Sequence, residues 1–270
     1  MKTFAKCVAV LRLVFIERLT YRVNFFLQIL SGILSSLIIV FLWLAVYWNA
    51  GQEAIGGYTT AEMVTYLLGG GLINTFVLTT AENPETSQSI QDGTLSALLT
   101  QPLSPYGYWF FRDLGSKMFL FLLGMLGYAF IFWGFRNYLV LCPDGGHLLL
   151  FLLSLGLAAL LQFFLFESLS LLAFWIENTY GIRFATRVIL ETIGGAIIPL
   201  SFFPPLLEKI FLALPFHYLI YLPMKIYLGK IPLEEAWLGL LKEILWMVGL
   251  ALLSLILWRR GLRHYVAMGD

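Results

Sequence analysis

Six apolar stretches, each about long enough to cross a lipid bilayer, dominate the sequence. A helix needs about 20 apolar residues to span the hydrocarbon core of a membrane. The stretches run approximately Phe25–Trp48, Tyr58–Thr80, Leu114–Phe135, Leu148–Ile176, Phe184–Leu200 and Ala236–Trp258. Of the 270 residues, 60% are hydrophobic, and the mean hydropathy is +0.84, which exceeds what one water-soluble core can use. The sequence therefore predicts an all-α integral membrane protein with six transmembrane helices.

Lysine and arginine are distributed unevenly between the two sides of these six spans. With the N-terminus inside, twelve fall on the cytoplasmic side, namely Lys2, Lys6, Arg12, Arg18, Arg22, Arg112, Lys117, Arg183, Arg187, Arg259, Arg260 and Arg263. The opposite side receives the other five, which are Arg136, Lys209, Lys225, Lys230 and Lys242. Since cytoplasmic loops carry the basic excess, both termini are predicted to be cytoplasmic. The net charge of only +1 argues against nucleic acid as a partner.

The first 22 residues predict a helix that lies in the membrane interface. On a helical projection the apolar residues Phe4, Val8, Leu11 and Phe15 gather on one face, and the charged residues Lys2, Lys6 and Glu17 gather on the other. Basic residues on the polar face are typical of interfacial helices. The alternative is that these residues are the solvated start of the first span.

The polar region 81–113 between the second and third spans is predicted to be cytoplasmic. Within it, the run DGTLSALLTQP places Leu95, Leu98 and Leu99 on one helical face, and Pro102 ends the helix. An isolated helix of two or three turns is not stable in water. We therefore expect its apolar face to be docked on another structure.

The region 199–235 before the last span contains six of the ten prolines. Proline starts helices at their first turn and breaks them in their interior. The pieces Leu206–Leu214 and Phe216–Leu228 are too short to span a bilayer, so they predict re-entrant or interfacial helices on the non-cytoplasmic side.

Two carboxylates assigned to the predicted spans, Glu167 and Glu191, are candidates for the transport pathway, because ionisable groups in the hydrocarbon usually face the bundle interior. Glu191 lies four residues after Arg187, so an intrahelical ion pair is the alternative. For Glu167 an interhelical contact is the alternative. Asn74, next to a run of three glycines, is a third candidate, although small residues there also suit close helix packing.

The layout as a whole resembles the ABC-2-type permeases of ATP-binding-cassette exporters. The runs that carry the resemblance are DGTLSALLTQPLSPYGYWFFRDL, GGAIIPLSFFPPLLEKIFLALPF and the tail RRGLRHYVAMG. The tail is similar to that of a bacterial branch sometimes labelled multidrug or viologen exporters. The resemblance covers residues 1–270 as a single ABC-2-type transmembrane domain.

The resemblance implies that residues 91–100 form a coupling helix, with Asp92, Gly93, Leu95, Leu98 and Leu99 at the contact with a separate ATPase subunit. Glu82 and Glu85 occupy the place where such permeases often carry an acidic residue that faces the ATPase.

It also implies a dimer with itself or with a sister permease, in the bacterial cytoplasmic (inner) membrane among its lipids. The chain would be a non-enzymatic permease with no catalytic, cofactor or metal residues of its own, because the nucleotide motif G-x-x-x-x-G-K-[ST] does not occur in it. ATP and magnesium would bind to the partner ATPase.

Two other functions fit parts of the sequence. An ion-gradient-driven secondary transporter would use Glu167 or Glu191 as a proton site. A membrane scaffold for a cytoplasmic partner would use the same cytoplasmic helix but would not need carboxylates within the membrane.

Overall fold

The computed structural model describes residues 2–20, 22–81, 83–101 and 103–265. Glu82, Pro102 and Val266–Gly269 lie outside the described residues, and so do the side chains of Lys2, Phe4 and Arg22. The described helices are α1 Lys2–Thr20, α2 Arg22–Ala50, α3 Thr60–Val77, α4 Glu85–Gln91, α5 Leu95–Leu99, α6 Pro105–Gly134, α7 Gly145–Ser170, α8 Tyr180–Ile193, α9 Pro205–Ala213, α10 Tyr221–Tyr227 and α11 Leu233–Gly261. A short antiparallel hairpin pairs β1 Ala54–Ile55 with β2 Tyr58–Thr59.

Four helical segments among the described residues are both long and apolar enough to cross a membrane. They are Phe26–Ala50, Pro105–Gly134, Gly145–Phe174 and Leu233–Gly261. These segments coincide with the first, third, fourth and sixth predicted stretches. The chain is therefore a mostly helical, multi-pass membrane protein.

The second and fifth predicted stretches form shorter helices. At 1.5 Å per residue, the 18 residues of α3 and the 14 residues of α8 rise about 27 and 21 Å, less than the roughly 30 Å of a hydrocarbon core. Helix α8 ends at Ile193 and does not continue to Leu200, so the predicted boundary is wrong. The reason is Gly195, whose φ of +85° is a left-handed conformation that terminates helices.

Helix α1 packs along α6. Val14 is buried there, and the ring of Phe15 meets that of Phe119 edge-on at 5.4 Å. Val8, which was expected on the apolar face, is exposed. The face of α1 that packs against α6 is thus rotated about the helix axis relative to the apolar face predicted from the sequence.

Helix α3 is central to the bundle and packs against α2, α6, α7 and α10. Its side chains Met63, Tyr66 and Leu68 are fully buried. Gly71 allows close contact with α6, because a Cβ atom there would lie only 2.6 Å from the hydroxyl of Tyr128. That hydroxyl instead shares a 2.7 Å hydrogen bond with Ser36 of α2, so one small residue brings three helices together.

The fold has two ends that differ in structure. The α4 end contains α4, α5, the 3₁₀ turn Leu171–Phe174 and the last turns of α11. The α9 end contains α9, α10, the 3₁₀ turn Pro215–Tyr218 and the first turns of α11. Helices α9 and α10 have nine and seven residues, too few to span a bilayer, in agreement with the two short pieces predicted before the last span.

Candidate functional site

The polar region between α3 and α6 forms two short helices, where the sequence predicted one helix of two or three turns. Helix α4 ends at Asp92, and Gly93 adopts a φ of +76° before α5 begins. A residue with a Cβ is disfavoured in this left-handed conformation. Gly93 is therefore the corner that separates α4 from α5.

The three leucines of the predicted apolar face have different surroundings. Leu95 is fully buried in a cluster with Ile90, Trp109 and Leu171 of the same chain. Leu98 packs at the margin of this cluster, whereas Leu99 is 45% exposed. Within this chain, Leu95 is therefore an internal packing residue, and Leu99 is the exposed leucine of the three.

The tail of the described chain holds the corner at Gly93. The hydroxyl of Tyr265 donates a 2.7 Å hydrogen bond to the carbonyl oxygen of Gly93 and lies 3.1 Å from the Ser96 hydroxyl. Trp258, near the end of α11, packs edge-on against Trp109 at 5.6 Å. The orientation of α5 is thus fixed by residues far away in sequence.

Glu85, the described member of the two acidic candidates, makes an ion pair inside the chain. The guanidinium of Arg112 on α6 contacts Glu85 at 2.7 Å and Glu17 of α1 at 2.9 Å. Burial raises the pKa of Glu85, and the nearby charge of Arg112 opposes this shift. One arginine therefore links α1, α4 and α6.

Glu167 is buried against α4. Its carboxylate accepts a 3.0 Å hydrogen bond from the Thr86 hydroxyl, and the side chain is almost fully buried. The other carboxylate oxygen has no hydrogen-bond partner among the described residues. A polar cavity of about 30 Å³ lies beside it, enough for a water molecule. The structure therefore agrees with the interhelical alternative.

Arg183 of α8 is fully buried next to these groups. It donates hydrogen bonds to the carbonyl oxygen of Asn83, just before α4, and to the hydroxyl of Ser170 at 3.3 Å. The sequence analysis assigned Arg183 to a cytoplasmic loop. The structure places it inside the α4 end, where it links α8 to the segment that leads into α4.

Lys117 was counted on the cytoplasmic side, near the start of the third predicted span, and it is also buried. Its ammonium donates to Asp113 at 2.5 Å, to the carbonyl oxygen of Ala159 at 3.0 Å and to Gln162. These bonds join α6 to α7. A buried charge that keeps one ion pair and several hydrogen bonds is costly to disturb, so α6 and α7 are held together at the α4 end.

Asn74 and Glu191 line a second, larger site. A cleft of about 480 Å³ lies between α2, α3 and α8, with polar residues Gln28, Ser31, Ser35, Thr75 and Thr79 on its walls. Glu191 accepts a 3.2 Å hydrogen bond from Arg187 one turn earlier, as the sequence predicted. The Oδ1 atom of Asn74 is buried without a hydrogen-bond partner among the described residues. The structure thus groups two of the three transport candidates and places Glu167 elsewhere.

Glu243 was missed by the sequence analysis. It lies within the predicted last span, is fully buried and accepts a 3.0 Å hydrogen bond from Ser154 of α7. The sequence signal that could have revealed Glu243 is a carboxylate inside an apolar stretch, beside Lys242. The two neighbouring side chains point in opposite directions, because Lys242 is exposed and Glu243 bonds to α7.

Most of the chain matches a known protein family. The family model is described as an ABC-2 family transporter protein and matches residues 33–269. No curated protein matches the chain significantly.

Proposed function

The chain belongs to the ABC-2 transporter family, and we propose that its α4–α5 segment couples the membrane helices to separate ATPase subunits. Members of this family are the membrane-spanning permease components of ABC transporters. The observation that carries the proposal is that α4 and α5 are bonded or packed to α6, α7 and the turn Leu171–Phe174 but keep an exposed edge. The exposed residues of that edge are Gln88, Asp92, Thr94, Ala97, Leu99 and Thr100.

The contacts inside the α4 end transmit a movement of α4 to the membrane helices. When an ATPase subunit displaces α4, the contacts of Glu85 with Arg112, Thr86 with Glu167, and Asn83 with Arg183 move α6, α7 and α8 with it. Helices α6 and α8 also contribute to the wall of the large cleft. Packed helices move between discrete arrangements, so closure of the ATPases changes access to the cleft.

The large cleft is the proposed substrate pathway, with Asn74 and Glu191 as contact residues. Its walls are polar and apolar in similar measure, which suits an amphipathic substrate. A second permease chain, either another copy or a sister subunit, closes the open side. The direction of transport is export, and ATP with magnesium binds to the ATPase subunits.

The proposed topology has six crossings in the bacterial cytoplasmic membrane. Helices α3 and α8 run between the two ends of the fold like the four long helices, and short non-helical segments extend both. With six crossings both termini lie in the cytoplasm, and the α4 end faces the ATPases.

The test of coupling is expression of the chain with its neighbouring genes, a search for an ATPase subunit that co-purifies with it, and ATPase assays of that complex in lipid nanodiscs. Leu99→Asp places an unpaired carboxylate at the contact, which costs several kcal/mol, so affinity for the ATPase falls by at least about tenfold. Leu141→Asp is the matched control, because Leu141 is 82% exposed and lies on the loop before α7, at the α9 end. Normal ATPase binding and stimulation by Leu99→Asp would reject the proposed contact.

The rival function, transport driven by a proton gradient, is tested with Glu167→Gln in sealed vesicles. The amide keeps an oxygen that accepts the hydrogen bond from Thr86 but cannot release a proton. We expect uphill transport by this variant to continue with ATP after the gradient is collapsed. Transport that ignores ATP, needs the gradient and stops in Glu167→Gln would establish the rival.

A further inference from the structure

A separate cleft of about 360 Å³ lies at the α9 end, far along the bundle from α4. It is bounded by the 3₁₀ turn Pro215–Tyr218, α10 and the first turns of α11. Its charged residues are Lys225, Glu235 and Lys242. The substrate pathway and the coupling network described above use none of these three.

Lys242 is an exposed cation on a helix that crosses the membrane. It is the tenth residue of α11, about 14 Å along the axis from Leu233. An ammonium at such depth is costly unless it is paired or reaches the polar headgroup layer. Lys242 forms no ion pair with the described residues. Its ammonium is therefore expected to extend toward the headgroup layer, where lipid phosphates are the available anions.

Lys225 brings a second ammonium to the same cleft. It is partly buried on α10, with its nitrogen 5.2 Å from the centre of the Tyr221 ring. His217 is close enough to both lysines for their charges to act on its ring. Burial, together with repulsion by Lys242 and Lys225, lowers the pKa of His217 to about 4, so the imidazole is neutral at physiological pH. Two lysines therefore supply the positive charge of the cleft.

Glu235 lies on the same face of α11 as Lys242, seven residues and about 10 Å nearer the helix start. The apolar side chains Leu212, Leu222 and Leu238 form part of the remaining wall. Along α11 the carboxylate lies nearer the helix start and the ammonium of Lys242 lies further into the membrane, while Lys225 of α10 lines the same cleft. A phosphatidylethanolamine molecule has the complementary order, with an outer ammonium, then a phosphate, then acyl chains.

We propose that this cleft binds a phospholipid headgroup, with the phosphate on Lys225 and Lys242, the headgroup amine near Glu235, and an acyl chain against the leucines. Phosphate oxygens accept charge-assisted hydrogen bonds from ammonium groups. The site requires only that α11 crosses the membrane. It is therefore independent of the proposed coupling to an ATPase.

The test is native mass spectrometry of the purified chain with phosphatidylethanolamine, phosphatidylglycerol and, as a separate arm, inorganic phosphate. In the double variant Lys225→Gln, Lys242→Gln we expect lipid affinity to fall at least about tenfold. Lys209→Gln is the matched control, since Lys209 is an exposed lysine at the same end that does not line the cleft. Lys242→Arg keeps the charge and should keep the lipid.

Glu235→Gln should reduce the preference for phosphatidylethanolamine over phosphatidylglycerol and leave phosphate binding intact. Wild-type lipid affinity in the double variant, in a sample with an unchanged melting temperature, would overturn the site. Displacement of the lipid by millimolar inorganic phosphate would identify a free anion as the occupant and would also overturn it. If the double variant unfolds, the single variant Lys242→Gln decides by the same measurement, because its side chain is exposed.

Discussion

Single polar residues connect the α4 end to the membrane helices, beside the apolar cluster around Leu95. Thr86, Arg112 and Arg183 each join α4, or the segment before it, to a different membrane helix. Thr86 and Arg183 are buried, so removing one of them leaves a buried polar partner unsatisfied, which costs about 1–3 kcal/mol. The three contacts together tie α4 to the bundle.

The variant Thr86→Val tests the contribution of the hydrogen bond between Thr86 and Glu167. Valine has nearly the shape of threonine but lacks the hydroxyl that donates to Glu167, so a buried carboxylate loses its partner. We expect a loss of about 1–3 kcal/mol in stability and weaker stimulation of the ATPase. Thr86→Ser keeps the hydroxyl and is the control. Thermal unfolding in detergent, followed by ATPase assays, measures both effects, and equal behaviour of the two variants would contradict the role of this bond.

At the scale of elements, the corner between α4 and α5 sets what a partner can touch. Gly93 turns the chain between α4 and α5, and this turn sets the direction in which α5 leaves α4. With that direction, Leu95 packs into the cluster with Trp109, and Leu99 remains exposed. The corner thus decides which side of α5 packs on the chain and which side a partner can reach.

Gly93→Ala should disturb that corner. Alanine at a φ of +76° costs roughly 1–2 kcal/mol, and we expect reduced ATPase binding with little change in membrane insertion. Gly134→Ala is the control, since a Cβ at Gly134 meets no atom within 4 Å. Gly93→Asn should recover part of the loss, because asparagine tolerates left-handed conformations. Full activity of Gly93→Ala would show that the turn is not required.

At the scale of the whole molecule, the sequence predicts the long helices well because their signal is local. An apolar run such as 236–258 needs no distant partner to be recognised. The burial of Leu95 and Arg183 could not be predicted in the same way, because Leu171 and Asn83, their respective partners, are distant in sequence. The burial of Lys117 has the same reason, because its partners Ala159 and Gln162 on α7 are also distant in sequence.

The proposed arrangement of six membrane crossings concerns the whole molecule and is tested by cysteine labelling. Single cysteines at Gln88 and Lys209, both exposed, are introduced into a chain without Cys7 and Cys142. With six crossings, a membrane-impermeant thiol reagent labels Gln88→Cys from the cytoplasmic side and Lys209→Cys from the other. Labelling of both from one side of intact cells would rule out this arrangement. Labelling after the membrane is opened confirms that both thiols are reactive.

The hydrogen bond from Tyr265 to Gly93 has a consequence for biosynthesis. The two residues are 172 positions apart, and a ribosome that adds roughly 5–20 residues per second needs on the order of ten seconds or more to make the chain between them. During that interval the corner between α4 and α5 lacks the hydrogen bond from Tyr265, and α11 has not yet been inserted. The surface proposed for the ATPase is therefore completed only after Tyr265 has been synthesised, and a chain truncated before Tyr265 presents that surface without this bond.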